Sequence, residues 1–258
     1  FNILNSASLN PVITNCVFSG NSTTGTIQFA EASGASLSPD FINCVFTNNN
    51  TISLLRFPSN VDALFTNCSF SSNNSSDFIR FDAFNGAKPK PTFKNCIVWG
   101  YNNFLAGVGG SSVTVSTSIV QGGYTGAVNA DPLFVDQFNP KGSDGIWATA
   151  DDGLRVGYIS YAINNGNSTG APLTDIIGTT RTLTDIGAYE NGVCLDGITK
   201  LYVDPSVSYN GKGNTWATAV KTLSDALYLA NNCSGISEVW VKAGTYKPER
   251  DMFGNTSP

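Results

Sequence analysis

The sequence predicts an all-β fold: a right-handed parallel β-helix, a solenoid of stacked coils, with one short capping helix in the C-terminal segment. Two observations carry this reading. The first is a repeat, Thr14-Asn15-Cys16-Val17-Phe18. It returns as Ile42-Asn43-Cys44-Val45-Phe46, Thr66-Asn67-Cys68-Ser69-Phe70 and Lys94-Asn95-Cys96-Ile97-Val98, with a weaker copy at Ser116-Thr117-Ser118-Ile119-Val120. The second is a separate column, Gln28, Arg56 and Arg80, spaced by the same 28 and 24 residues as Cys16, Cys44 and Cys68. Self-similarity at a period of about 20–50 residues marks a solenoid, propeller or array. Two motifs that share one irregular period place the insertions in loops and keep the strands in register.

Parity explains each copy. Three residues before the cysteine sit Ile13, Phe41, Phe65 and Phe93; two after it sit Phe18, Phe46, Phe70 and Val98. A strand alternates faces with period 2. These positions and the cysteine cannot all face inward on one straight strand, so the phase breaks between them, at Asn15, Asn43, Asn67 and Asn95. Asn tolerates the left-handed backbone that a sharp bend needs. Each copy therefore reads as strand, one-residue corner, strand. Asn21, Asn49 and Asn73 form a further column, which Tyr101 breaks, and a second strand follows in each coil: Thr26–Phe29, Ser53–Phe57 and Asp77–Phe81. Like positions stack at roughly 4.8 Å, and stacked Asn side chains can hydrogen-bond along the axis. Cys16, Cys44, Cys68 and Cys96 are expected as a buried, reduced column, because parallel Cβ vectors hold stacked residues too far apart for good disulfide geometry. Cys194 and Cys233 lie outside this ladder; they either pair with each other or stay free.

Composition narrows the function classes. Charged residues make up 13% of the 258, and the net charge is −5, which argues against a nucleic-acid partner. The chain has no histidine, which removes the commonest general base and metal ligand. No stretch approaches the ~20 apolar residues of a membrane span. The chain begins mid-repeat and its only methionine is Met252, so we expect a piece of a longer, secreted chain.

Beyond about residue 128 the pattern changes. Asn129–Asp136 holds a DPLFVD stretch, Tyr161–Gly166 an AINNG stretch, and Thr184–Glu190 ends in DIGAYE. Here the chain resembles the closing segments of secreted bacterial parallel β-helix proteins. The Asn-Cys-x-Phe repeats are also similar to those of polymorphic outer-membrane and adhesin-like β-helices, without that group's Gly-Gly-Ala-Ile partner motif. Residues 193–200 read as a linker. After it come a strand at Leu201–Asp204, a helix over Thr222–Asn231 with Leu223, Ala226, Leu227 and Ala230 on one stripe, and a strand at Glu238–Lys242. Thr222 and Asp225 approximate a capping box. This set resembles the opening of a β-helix in the same proteins. The resemblance implies that residues 1–192 end one β-helix (coils to about 128, closing segment from about 129) and that residues 201–258 begin the next.

Candidate chemistry is sparse. Asp136, Asp144, Asp151 and Asp152 lie in or beside a Gly-bearing loop that could hold calcium through carboxylate and carbonyl oxygens, or could be a solvated acidic loop. Asp131 and Asp185 are expected to cap turns. Gln28, Arg56 and Arg80 form an outward column that suits an acidic glycan, unless Asp77 and Asp82 neutralise the arginines. We expect no catalytic residues: no carboxylates share one coil position, and Ser-His-Asp chemistry is impossible without histidine. The expectation is a structural module of a large secreted or cell-surface bacterial adhesin or extracellular filament. Its partners would be neighbouring copies joined head to tail, and surface glycans. The alternative is a carbohydrate-binding or polysaccharide-degrading β-helix protein.

Overall fold

A computed structural model describes residues 2–3, 8–28, 30–31, 36–57, 60–82, 88–101, 103–106, 111–195 and 197–247. The expected strand position Phe29 and the far C-terminal residues 248–258 lie outside them. Three parallel sheets run along one axis. The first stacks Val12–Thr14, Asp40–Ile42, Leu64–Thr66, Thr92–Lys94 and Thr114–Ser116. The second stacks Val17–Ser19, Val45–Thr47, Ser69–Ser71, Ile97–Val98, Ser118–Val120 and Ala127–Val128. The third stacks Ser22–Gln28, Asn50–Phe57, Asn74–Phe81 and Leu105–Ala106. Register follows the repeat: Phe65 pairs with Phe41 and Phe93, and Arg56 with Gln28 and Arg80. The fold is a parallel β-solenoid.

The corner between the first and second sheets is the Asn column. Asn15, Asn43, Asn67 and Asn95 have φ of 52°, 52°, 51° and 53°. With the phase broken there, Phe41, Phe65, Phe93, Cys44, Cys68, Cys96, Phe46, Phe70 and Val98 share one core. The phenylalanines stack in two files. Phe41–Phe65–Phe93 are spaced at 4.9 and 4.7 Å, and Phe18–Phe46–Phe70 at 4.7 and 4.5 Å. The two files meet edge to face, as at Phe65–Phe70, 5.7 Å apart, the arrangement that aromatic quadrupoles favour. The four ladder cysteines are free thiols.

A second corner was not anticipated. Gly20, Asn48, Ser72 and Gly100 stand in one column, all with positive φ. Just after them runs a continuous amide ladder. Asn21 Nδ2 donates to Asn49 Oδ1, Asn49 Nδ2 to Asn73 Oδ1, and Asn73 Nδ2 to the Tyr101 hydroxyl, each at 2.7 Å. Tyr101, which breaks the sequence column, instead terminates the chain of bonds by accepting the last one.

The fifth Asn-corner position is Thr117, at φ 47°. A β-branched residue is strained in that region, where Asn is not. Thr117→Asn is expected to stabilise the fold by ~1 kcal/mol and to raise the thermal midpoint by about 2–4 °C. A calorimetric midpoint that stays put or falls would contradict this.

Beyond residue 105 the first and second sheets continue through Thr114–Ser116, Ser118–Val120 and Ala127–Val128, while among the described residues the third sheet ends at Leu105–Ala106. The closing segment does not sit on the end of the coils as a lid. It lies along the flank. Val45, Ile97 and Ile119, which point outward from the second sheet, are buried against Phe134, Leu154, Val156, Ala162, Ile176, Ile186 and Ala188. A third core joins Leu133 and Ile159 of this segment to Leu201, Val203, Val220, Ala226 and Leu229.

The C-terminal unit pairs Lys200–Val203 in parallel with Glu238–Val241. Helix α1 (Leu223–Asn232) crosses between them, with the Thr222 side chain accepting from Asp225 N as its N-cap. Its buried stripe differs from the expected one. Ala226 and Leu229 face in, while Leu227 is 49% exposed. A disulfide between Cys194 and Cys233, with Cα atoms 5.5 Å apart, pins the helix C-cap to the preceding segment. Within the stretch read as a linker, Cys194, Leu195 and Ile198 are partly buried and pack against the third core.

Candidate functional site

The most heavily bonded polar assembly lies where the closing segment meets the Asn corner. The carbonyls of the closing segment accept from the corner amides. Asn43 Nδ2 donates to Thr174 O at 2.7 Å, Asn67 Nδ2 to Asp185 O at 2.9 Å, and Asn95 Nδ2 to Asn167 O at 2.9 Å. Asn167 N returns a bond to Asn95 Oδ1 at 2.8 Å, and Gly187 N donates to Asn95 O at 2.8 Å. The corner column is therefore two devices at once. Its backbone turns the coil, and its side chains grip another part of the chain. Along the axis Asn43 Nδ2 donates to Asn15 Oδ1 at 3.2 Å and Asn95 Nδ2 to Asn67 Oδ1 at 3.1 Å. Gly187, at φ 104°, passes so close that an added Cβ would lie 2.8 Å from the Ile97 side chain, which explains the glycine of the DIGAYE stretch.

Behind these contacts is a buried ionic cluster. Arg181 Nη1 meets Glu190 Oε2 at 2.5 Å, with both side chains almost wholly buried. Arg181 Nη2 donates to Gly187 O at 3.0 Å and to Asn43 Oδ1 at 3.2 Å. Asp175 accepts from the backbone N–H groups of Ile177, Thr179 and Glu190, and Asp185 from those of Asn164 and Asn191 at 2.7 and 2.8 Å. A buried charge is tolerable only when paired and hydrogen-bonded; Arg181 and Glu190 are both, while Asp175 and Asp185 are held by backbone N–H donors. Asp131 caps a turn as expected, accepting from Leu133 N at 2.8 Å; Asp185, expected to do the same, instead ties together two more distant segments through Asn164 N and Asn191 N.

The electrostatics give this clasp a pH dependence. Burial pushes Asp185 up to about 7, assisted by Glu190 and opposed by the N–H donors and Arg181. Burial also raises Glu190 and Asp152. An unfolded aspartate titrates near ~3.9. Between about pH 4 and 7 the unfolded chain therefore holds fewer protons than the fold, so stability falls as pH rises through that window. Asp204 is held down to about 2, chiefly by Lys242 and Ser206. It acts in the opposite sense, but only below about pH 4. The denaturation midpoint is expected to be higher at pH 5 than at pH 7.5, with the slope reduced in Asp185→Asn. A midpoint that rises with pH across this window in the parent chain would refute the assignment.

The acidic loop is built from the same turn chemistry. Asp136 Oδ1 accepts from Phe138 N and Asn139 N, and Asp144 Oδ1 from Ile146 N. Asp151 Oδ2 accepts from Ser143 N, Ser143 Oγ and Asp144 N. The Ser143 and Thr149 hydroxyls hold Asp151 well below the usual carboxylate range. Asp152 is turned inward, accepting from Ala148 N at 2.9 Å and from the Tyr189 hydroxyl at 2.6 Å. Among the described residues, no group of three or more His, Cys, Asp or Glu side chains converges as a metal centre would.

On the third sheet, Asp82 stands between the two arginines of the outward column. It is ion-paired with Arg56, and its Oδ1 lies 3.0 Å from Arg80 Nε. Asp77 is 3.9 Å from Arg80 Nη1. Gln28 is exposed beside Arg56. The two arginines are thus neutralised by Asp77 and Asp82, the latter acting across two adjacent coils.

Sequence reasoning missed Arg181, Glu190 and Asp175. A signal was present in the residue after three of the four ladder cysteines, the exception being Ser69, whose hydroxyl accepts from Ala188 N. Val17, Val45 and Ile97, with Ile119 in the weaker copy, are apolar at a position that parity turns outward. An outward apolar column needs a cover, and the closing segment supplies it. No family model matches the chain, and no curated protein or solved structure does.

Proposed function

We propose that this chain is a stiff structural module of a secreted or cell-surface adhesin or filament, in which one solenoid is joined head to tail to the next. The observation that supports it best is the third core. Leu133 and Ile159 of the closing segment pack with Leu201, Val203 and Val220 of the C-terminal unit, and Cys194–Cys233 ties that unit down. A joint with its own apolar core and a covalent tie holds its two sides at a fixed angle; an exposed flexible linker does not. The disulfide favours an oxidising compartment, hence the extracellular location. The parallel pair Lys200–Val203 and Glu238–Val241 offers a template on which further coils can stack, winding right-handed as parallel crossovers do.

Small-angle scattering and electron microscopy of two chains expressed in tandem test this reading. Straight rods of constant repeat length are expected; flexibly strung or collapsed particles would refute it. Calcium at the loop containing Asp136, Asp144, Asp151 and Asp152 is a separate proposal. It predicts a thermal midpoint that rises with added Ca²⁺ and falls with chelator; a midpoint indifferent to both removes it.

A further inference from the structure

We infer that the groove at the joint binds a neutral oligosaccharide. The groove is open, with a volume of about 490 Å³, and lies between residues 158–165 of the closing segment and residues 208–210 and 221–225 of the C-terminal unit. Tyr161 and Asn165 form its wall toward the coils, and the same two residues line a second, smaller recess of about 220 Å³ against the last coils at Gly126–Val128. The two recesses thus adjoin at Tyr161 and Asn165. The larger lobe alone falls within the ~300–1,000 Å³ of ordinary ligand sites.

The lining selects the ligand class. Tyr158, Tyr161 and Tyr209 border the larger lobe. Tyr161 and Tyr209 meet edge to face, 5.5 Å apart at 84°, and Tyr209 is 37% exposed. Tyrosines offer an apolar ring for the C–H face of a sugar and a hydroxyl for its polar edge. Asn164 is exposed at the rim. Asn165 spends its Nδ2 on Tyr161 O and Ile163 O, at 3.0 and 3.1 Å, which fixes the amide in place.

Charge excludes the acidic glycans expected from the arginine column. Lys221 Nζ is turned to Ser208 O at 3.2 Å, and Asp225 Oδ2 accepts from Asn210 at 3.0 Å. The two charges lie in one groove, cancel, and are bonded to the protein. An extended peptide is a poorer fit, because peptides in grooves of this kind add to a free strand edge. Residues 158–165, 208–210 and 221–225 belong to no strand.

This inference does not rest on the rod reading, since a groove at the joint can bind sugar whatever the particle's shape. Calorimetric titration and saturation-transfer NMR of the full chain would use cellohexaose, xylohexaose, mannohexaose, maltohexaose and chitohexaose, with oligogalacturonate as the acidic comparison. At least one neutral hexaose is expected to bind. Tyr209→Ala should weaken it about tenfold, in line with an aromatic contact of ~1–1.5 kcal/mol, and Asn164→Ala should weaken it less. Arg56→Ala, on the third sheet, should leave it unchanged. Tyr209→Phe, which keeps the ring, should keep most of the affinity and so separates a lost contact from a lost fold. The inference is overturned if no neutral hexaose binds, if Tyr209→Ala binds as tightly as the parent, or if oligogalacturonate alone binds and Arg56→Ala abolishes it.

Discussion

Replacing Arg181 with methionine is expected to cost the fold about 3–5 kcal/mol, because it leaves Glu190 charged, buried and without its cation. The loss should be local in its first consequence. Arg181 is the one side chain that bonds at once to Glu190, to Gly187 O and to the corner residue Asn43. Without it the closing segment loses its grip on the flank while the phenylalanine files of the coils stay packed. Urea titration should show a lowered midpoint, and limited proteolysis should cut first between residues 164 and 192. Removing both charges, in Arg181→Met with Glu190→Gln, should recover much of the loss. The desolvation cost of the pair then disappears together with its attraction, although Glu190 Oε2 also accepts from Asp185 N at 3.0 Å and that bond is weakened. An unchanged midpoint in the single variant, or a double variant as unstable as the single, would show that the ion pair does not hold the clasp.

Breaking the Cys194–Cys233 bridge with paired serine substitutions is expected to destabilise the C-terminal unit by about 4 kcal/mol. Closing a loop with a sequence separation of 39 residues removes that much chain entropy from the unfolded state. Besides the bridge, the unit relies on the third core. Its sheet has two strands, and such a pair is marginal without packing. Hydrogen exchange should show Lys200–Val203 and Glu238–Val241 losing protection, while Asp40–Ile42 and Leu64–Thr66 keep theirs. Equal protection in the bridged and serine forms would mean that the third core alone secures the joint. If the serine form also flexes at the joint in scattering profiles, the disulfide is part of what keeps a tandem array straight.

These two residue sets differ in how far they could be read from the chain. The coil interior was legible because a solenoid repeats one local decision. A single Asn corner, with apolar residues at fixed offsets on both sides, places every inward side chain of Phe41, Phe65, Phe93, Cys44, Cys68 and Cys96. The period of 28 and 24 residues also sets the register that pairs Arg56 with Gln28 and Arg80. The N-cap of helix α1 was legible for the same reason, since Thr222 acts on an N–H three residues away. The outward columns were only half legible. That Asp77 and Asp82 could neutralise the arginines followed from proximity in sequence. That Asp82 would stand between two arginines one coil apart required the stacking.

What sequence alone determined was therefore local and periodic: the parallel coils, the Asn turns, the aromatic files and the reduced cysteine ladder. What only the tertiary structure decided was everything that joins segments far apart in the chain. Asn43 and Arg181 are separated by 138 residues and Asn67 and Asp185 by 118. No periodicity connects them, because residues 129–192 are irregular turns held by side-chain-to-backbone bonds. The cover on Val45, Ile97 and Ile119, the rotation of α1 that exposes Leu227, and the Tyr-lined groove at the joint all follow from where that irregular segment comes to rest. Its resting place is set by burying an apolar flank and satisfying a column of amides, two requirements that act through space and leave only a faint trace in the order of residues.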